Sequence, residues 1–223
     1  MIQATEPILT PPKPYKTIKL WKEIVILVGF TLIIFVLGQF IGNKFFWNQF
    51  DKTPLVEKQY QGALAKVKET PDDPNSHIDL GYALFKKGQY NEAIAEYKKA
   101  TVLDDKNSKA YLNLGIAYKQ VDKKDIAITS FQKAIVLNPK SYEAHYYLGL
   151  TYHSNEKYDQ AIAELETADK LHPGSSQIMY DIGQTKEKMG NIEGAKSEYT
   201  SALQYDPNFT KASDAMTRLG GVK

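Results

Sequence analysis

The sequence contains no cysteine. This absence excludes disulfides, thiol chemistry and cysteine-based metal sites, and it fits oxidising and reducing compartments equally. Arg218 is the only arginine, so bidentate recognition of phosphate or guanine has almost no side chains available. The formal net charge is +2, and residues 45–223 are close to neutral, which gives no basic face for a nucleic acid. We therefore expect no nucleic-acid partner.

Residue patterns that carry catalysis are also missing. The chain has four histidines, and His145 and His153 stand eight residues apart, too far along one helix to share a metal. No glycine-rich phosphate loop, HExxH or GxSxG pattern appears. Acidic residues alternate with lysines along several segments, as on a solvated helix face. We expect a protein that is not an enzyme and needs neither cofactor nor metal.

Charged side chains are absent from residues 24–41, a run of 18 residues. As a helix this run would be roughly 27 Å long, close to the hydrocarbon thickness of a bilayer. It lacks the polar face of a buried soluble helix, and no small-residue cleavage site of a signal peptide follows it. The pattern predicts an uncleaved transmembrane anchor at residues 21–44, contacting lipid through residues 24–41, after a flexible Pro/Lys-rich tail at 1–20.

The lysines that flank this run indicate an orientation. Lys19 and Lys22 lie directly before it, against Lys44 directly after it. The positive-inside rule then places the N-terminus in the cytoplasm and the rest of the chain outside it, at the cell membrane. Gly38-x-x-x-Gly42 could pair two anchors into a homodimer. The motif lies at the end of the run and glycines are common in transmembrane helices, so the dimer is left open.

A 34-residue pattern occurs four times in tandem between Pro74 and Phe209. We call each copy a block, and three positions in every block hold glycine or alanine. The blocks begin at Pro74, Ser108, Tyr142 and Ser176. The eighth position holds Gly81, Gly115, Gly149 and Gly183. The twentieth holds Ala93, Ala127, Ala161 and Ala195, and the twenty-seventh Ala100, Ala134, Ala168 and Ala202. A unit of this length is a helix hairpin that must stack on its neighbours to bury its apolar face.

Larger apolar residues recur in the same register. The seventh position holds Leu80, Leu114, Leu148 and Ile182, and the twenty-fourth Tyr97, Phe131, Leu165 and Tyr199. Together with the small residues, this pattern resembles the tetratricopeptide repeat. The resemblance implies an all-α fold: the N-terminal transmembrane helix, then a right-handed α-solenoid of four hairpins (74–107, 108–141, 142–175 and 176–209) with a C-terminal capping helix and tail at 210–223.

The segment between anchor and repeats, residues 45–73, contains a short predicted helix. Thr53-Pro54 is a favourable helix start, and an apolar stripe continues to Glu69. This helix does not fit the repeat pattern, so a stalk and a lid on the solenoid are both left open.

The resemblance also implies a binding surface. In this family the first helix of each unit lines the concave side, and aromatic patches with polar rims are typical contact sites. Carried onto this chain, the predicted partner-binding residues are Ile78, Tyr82, Phe85, Lys109, Leu112, Asn113, Ile116, Tyr146, Tyr147, Leu150, Tyr180 and Asp181. The alternative for any one of them is packing against a neighbouring repeat.

A chaperone-tail clamp, which some relatives build from Lys, Asn and Arg, is not expected because Ile78, Tyr82, Glu143 and Tyr147 occupy its positions. We expect a membrane-anchored scaffold that holds a peptide segment or protein partner, with a role in assembly or quality control of a membrane or envelope complex. Two alternatives are a cytosol-facing receptor of opposite topology and a self-associating structural protein. Fold alone does not choose among them.

Overall fold

The computed structural model describes residues 54–220. The predicted tail, the predicted anchor and the Gly38–Gly42 motif lie outside this range. Within it, no helix has the length and apolar character needed to cross a bilayer.

Residues 54–220 form ten α-helices and no strands, which confirms the all-α repeat prediction for this part of the chain. The helices are α1 (Leu55–Glu69), α2 (Pro74–Lys86), α3 (Tyr90–Leu103), α4 (Ser108–Gln120), α5 (Lys124–Leu137), α6 (Tyr142–Ser154), α7 (Tyr158–Leu171), α8 (Ser176–Lys188), α9 (Ile192–Tyr205) and α10 (Thr210–Arg218). The pairs α2/α3, α4/α5, α6/α7 and α8/α9 are the four predicted hairpins, and each stacks on the next.

The first helix of every hairpin starts at the first residue of its 34-residue block, because a polar side chain caps it there. Asp73 accepts from the backbone N–H of Asn75, and Asn107 accepts from that of Ala110. Ser141 and Ser175 cap α6 and α8 in the same way. Each such cap stabilises a helix by about 0.5–2 kcal/mol.

Close helix approach within each hairpin explains the invariant glycines. A Cβ added to Gly81 would lie 2.6 Å from a ring carbon of Tyr97, and one added to Gly115 would lie 2.6 Å from Phe131. Tyr97 and Phe131 are almost completely buried. The aromatic side chain of the second helix therefore fills the space that a side chain on the first helix would need.

The turn inside every hairpin uses one residue with left-handed backbone. These residues are Gly88 (φ 79°), Asp122 (φ 56°), Glu156 (φ 59°) and Gly190 (φ 80°), at the same position of each block. Glycine adopts this conformation without strain. Asp122 and Glu156 adopt it at a cost of order 1 kcal/mol, which the surrounding packing offsets.

The fourth position of the 34-residue block, which holds Tyr111 in the second hairpin, holds histidine in the first and third. His77 Nδ1 lies 2.6 Å from Glu96 Oε2, and His145 Nδ1 lies 2.6 Å from Glu164 Oε2. The other ring nitrogen of His77 lies 2.8 Å from the backbone oxygen of Pro71. The histidine–glutamate contacts therefore join the two helices of the hairpin through a polar pair.

The fourth hairpin differs from the others at Lys186, because the same position holds Leu84, Tyr118 and Tyr152 in the first three. Its ammonium group donates to Glu198 on α9 over 2.7 Å. Lys186 and Glu198 are both partly shielded from solvent, so an ion pair bridges the two helices at this point.

Helices α1 and α10 close the two ends of the described region. α1 packs along α2, so it is neither a separate stalk nor unrelated to the repeats. It ends 34 residues before α3 ends, and so takes the place of a second helix. α10 packs on α9 and buries Ala212 and Ala215, as predicted for a capping helix.

We expect Gly115→Ala to lower the free energy of unfolding by about 1–3 kcal/mol, because the new methyl group overlaps the buried ring of Phe131. The matched control is Gly62→Ala in α1, where nothing lies within 4 Å of the added carbon. There alanine should stabilise the helix by up to about 1 kcal/mol. Thermal unfolding of the full-length protein in mild detergent, followed by circular dichroism, measures both. Equal melting temperatures for the two variants would contradict the packing argument.

Candidate functional site

The candidate site is the surface carried by α2, α4, α6 and α8, which we call the first-helix face. These four helices contact one another in sequence, while α3, α5, α7 and α9 lie behind them. Residues three, four and seven apart on each helix share one side. The sequence-predicted residues therefore belong to one continuous face rather than to separate loops.

Apolar side chains gather at the middle of the first-helix face. Leu112, Ile116, Tyr147 and Leu150 are half-buried there. Tyr147 stacks on the core residue Phe131, with ring centroids 6.0 Å apart, so one side of its ring is fixed. This patch combines accessible apolar area with low side-chain freedom, which favours binding of an apolar segment.

Other predicted residues lie around this centre. Tyr82 is the most exposed aromatic residue among them, at 51%. Lys109 is exposed, Asn113 is half-buried, and Phe85 meets Tyr90 edge to face, with centroids 5.2 Å apart. Tyr180 is half-buried between Tyr199 and Phe209.

Two predicted contact residues are too buried to touch a partner. Ile78 is 1% exposed and belongs to the core cluster that also contains Ala63 of α1. The predicted register places it on the binding face, but in the structure it belongs to the core, at the end of the array where α1 packs on α2. Asp181 is 7% exposed because α6 and α10 bring Tyr146 and Lys211 toward it.

A polar network links the first helices at the C-terminal end of the face. The Tyr146 hydroxyl donates to Asp181 Oδ2 over 2.8 Å, and Gln177 Nε2 donates to both oxygens of the same carboxylate. Lys211 of α10 donates to Gln177 Oε1 over 3.1 Å. Tyr146 therefore supports the packing of two repeats and is only partly available to a ligand.

Burial shifts the titration of two groups in this region. It raises the pKa of Asp181, while the hydrogen bonds from Gln177 and Tyr146 act in the opposite direction. It lowers the pKa of His153, although the nearby Asp181 charge opposes that shift. Thr185 Oγ1 donates to the Asp181 backbone oxygen, so it accepts from His153 Nδ1 at 2.9 Å. The neutral ring then carries its proton on Nδ1.

Sequence reasoning missed the contribution of Arg218 to this end of the face. Its guanidinium donates to both carboxylate oxygens of Glu187, which also accepts from the Tyr199 hydroxyl at 2.9 Å. A cavity of about 230 Å³ adjoins these groups and is also lined by His153 and Lys188. Arg218 lies 31 residues beyond Glu187, and no local motif marks the pairing.

Within residues 54–220, no group of three or more histidine and acidic side chains is placed to hold a metal ion. What the face offers chemically is an apolar centre with polar ends. Its geometry defines a class of protein, the helical-repeat binding proteins, in which stacked hairpins expose one continuous surface.

Sequence profiles identify the family. A TPR repeat profile matches residues 81–122, and two further tetratricopeptide repeat profiles match residues 112–176 and 152–219. Together they cover the hairpins from within α2 to the end of α10. The chain belongs to the tetratricopeptide repeat family.

Solved structures agree with this assignment. A crystal structure of MamA is 29% identical, covers 72% of this chain and 99% of its own, and has a TM-score of 0.63. A second crystal structure of MamA protein is 31% identical, with 70% and 85% coverage and a TM-score of 0.62. A thermophilic TPR protein of Thermus thermophilus is 22% identical, with 74% and 89% coverage and a TM-score of 0.61, and shares the fold. No curated protein sequence matches the chain.

We expect Tyr146→Phe to lower the free energy of unfolding by about 1.5–3 kcal/mol, because it removes a hydrogen bond to the buried Asp181 carboxylate. The control is Tyr205→Phe, since the Tyr205 side chain is 60% exposed and its hydroxyl has no hydrogen bond within residues 54–220. That change should be neutral within about 0.5 kcal/mol. Chemical denaturation of both full-length variants at neutral pH provides the measurement. A Tyr146→Phe protein as stable as Tyr205→Phe would show that the bond adds nothing.

Proposed function

We propose that this protein is a membrane-tethered scaffold that binds a peptide segment or a protein partner on its first-helix face. The observation that carries the proposal is the apolar centre of that face, built from Leu112, Ile116, Tyr147 and Leu150 on neighbouring helices. A stacked-hairpin surface of this kind is preorganised, so a partner does not have to order it on binding.

The composition of the face supports an extended or helical protein segment as its ligand. Its centre is apolar, while exposed or half-buried polar groups such as Lys109, Asn113 and Lys119 surround it. A small-molecule site would be enclosed on most sides, whereas this surface is open along several helices. Its form suits a polypeptide better than a metabolite.

Anchoring is the second part of the proposal and rests on the 18-residue apolar run at residues 24–41. A tether raises the effective concentration of the binding face near membrane-bound partners, so modest intrinsic affinity suffices. Assembly or quality control of a membrane or envelope complex is the role that fits such an arrangement. The lysine distribution favours a solenoid outside the cytoplasm.

The binding face is tested with one matched pair of substitutions. Ile116→Lys places a charge at the apolar centre, whereas Val136→Lys makes the same kind of change on α5, where the side chain is 73% exposed. Partners captured from native membranes by the detergent-solubilised, full-length protein should bind about tenfold more weakly to Ile116→Lys. Val136→Lys should bind normally.

Melting curves for both variants show whether either has lost its fold. If a correctly folded Ile116→Lys protein captures the same partners as the native protein, the binding site lies elsewhere on the surface.

The membrane topology can be tested by labelling a single engineered cysteine. Because the native chain contains no cysteine, a maleimide reagent can react only at the introduced thiol. Thr129 is exposed on α5, so a membrane-impermeant maleimide should label Thr129→Cys in intact cells as fully as in permeabilised cells. The native protein, which has no cysteine, is the negative control for labelling. Labelling that appears only after permeabilisation would place the solenoid in the cytosol and support the opposite topology.

A further inference from the structure

The carboxylates of the four first helices are all engaged within the chain. Helices α2, α4, α6 and α8 contain four acidic residues, which are Asp79, Glu143, Asp181 and Glu187. Asp79 accepts from the Lys66 ammonium at 2.6 Å, and Glu143 accepts from the Ser141 hydroxyl at 3.3 Å. The other two accept hydrogen bonds from Gln177 and Arg218. The negative charges of the first-helix face are therefore paired or hydrogen-bonded already.

Three lysines of the same helices have no such contact. Lys86 of α2 and Lys109 and Lys119 of α4 make no side-chain hydrogen bond, ion pair or ring contact within residues 54–220. The two lysines of α8 differ, because both interact with a glutamate. The unbalanced charge of the first-helix face is therefore positive, and it lies on α2 and α4.

Two of these lysines stand on either side of the apolar centre. At 3.6 residues per turn, Lys109, Leu112, Ile116 and Lys119 fall within an arc of about 80° around α4, so they share one side of the helix. Along the axis the two lysines are about 15 Å apart. Leu112 and Ile116 lie between them and are half-buried. The α4 helix therefore presents an apolar strip with a positive charge at each end.

The acidic side chains outside the described residues do not match this spacing. Residues 1–53 and 221–223 contain Glu6, Glu23 and Asp51, of which the nearest two are 17 residues apart. A separation of 17 residues corresponds to roughly 26 Å in a helix and to more in an extended chain. No pair of these carboxylates is therefore spaced for the two ends of the α4 strip.

We propose that the first-helix face binds an acidic segment of a partner protein, with carboxylate side chains on both sides of an apolar anchor residue. The anchor packs on Leu112 and Ile116, and the carboxylates pair with Lys109 and Lys119. In an extended segment the two carboxylates are about four or five residues apart, at roughly 3.3 Å per residue. This inference rests on the proposed function and adds to it the charge of the ligand, which complementary potentials select.

A peptide library tests the charge preference. Random twelve-residue peptides, displayed on phage through their C-terminal ends so that no terminal carboxylate is free, are selected on the full-length protein in non-ionic detergent at low ionic strength. We expect the selected peptides to be enriched in aspartate and glutamate on both sides of an apolar residue. Selected peptides without this enrichment would overturn the proposal, and so would the absence of any selected peptide.

A matched pair of double variants assigns the preference to α4. Lys109→Gln/Lys119→Gln removes the charges at its two ends, and Lys157→Gln/Lys170→Gln removes two exposed lysines at the ends of α7, behind the face. The most enriched peptide, synthesised with a C-terminal amide, should bind the first variant about three- to tenfold more weakly by fluorescence anisotropy. It should bind the second variant normally. Equal binding by the two variants would contradict the assignment.

Ile116→Ser separates this inference from the proposed function. If the selected peptides lack acidic residues but bind a correctly folded Ile116→Ser protein more weakly, the apolar centre is a binding site and only the charge preference is wrong. If they bind that variant as tightly as the native protein, the proposed function is wrong as well.

Light scattering tests a second copy of the chain as the occupant. We expect the native protein and Lys109→Gln/Lys119→Gln to have the same mass in detergent. An oligomer that dissociates in the variant would assign the two lysines to a contact between copies and overturn the proposal.

Discussion

The close approach of two helices within each hairpin is the contact on which the rest of the structure depends. A glycine on the first helix and a large side chain on the second, such as Gly115 and Phe131, share a space that admits only one of them. This contact fixes the distance between helices, and alanines such as Ala127 and Ala134 allow the neighbouring turns to follow it. Because each hairpin has the same geometry, four of them stack into one regular array with a continuous first-helix face.

The kind of contact between neighbouring first helices changes along the array. In the first three hairpins the first helices meet mainly through apolar side chains such as Leu112, Ile116 and Leu150. Toward the C-terminal end a hydrogen-bonded network around Asp181 joins α6, α8 and α10. Such a network orders the helices and also uses up polar groups that a ligand would otherwise contact. The apolar middle of the face is therefore its more available part.

Several features could be predicted because they are properties of spacing. The 34-residue register predicted the four hairpins, the apolar side of residues 210–219 predicted the last helix, and the pattern of small residues indicated the helix contacts. The 34-residue pattern did not predict that α1 occupies the position of a second helix. Gln59 and Lys66 stand there in place of the two alanines found in every other second helix. The helix packs in the repeat position all the same, since Ala63 and its neighbours still present an apolar side to α2.

The predicted partner-binding residues show what the sequence decides and what depends on the tertiary structure. By itself the sequence determined the class of fold and which residues share one side of each first helix, because periodicity places side chains on one side of a helix whatever surrounds them. The family resemblance then implied that this side is the binding face. Only the tertiary structure decided which of those side chains are free. Ile78 is buried in the core, Asp181 accepts hydrogen bonds from Tyr146 and Gln177, and Arg218 reaches Glu187 from another helix. Burial and long-range pairing depend on which helices meet, and a local pattern carries no information about that.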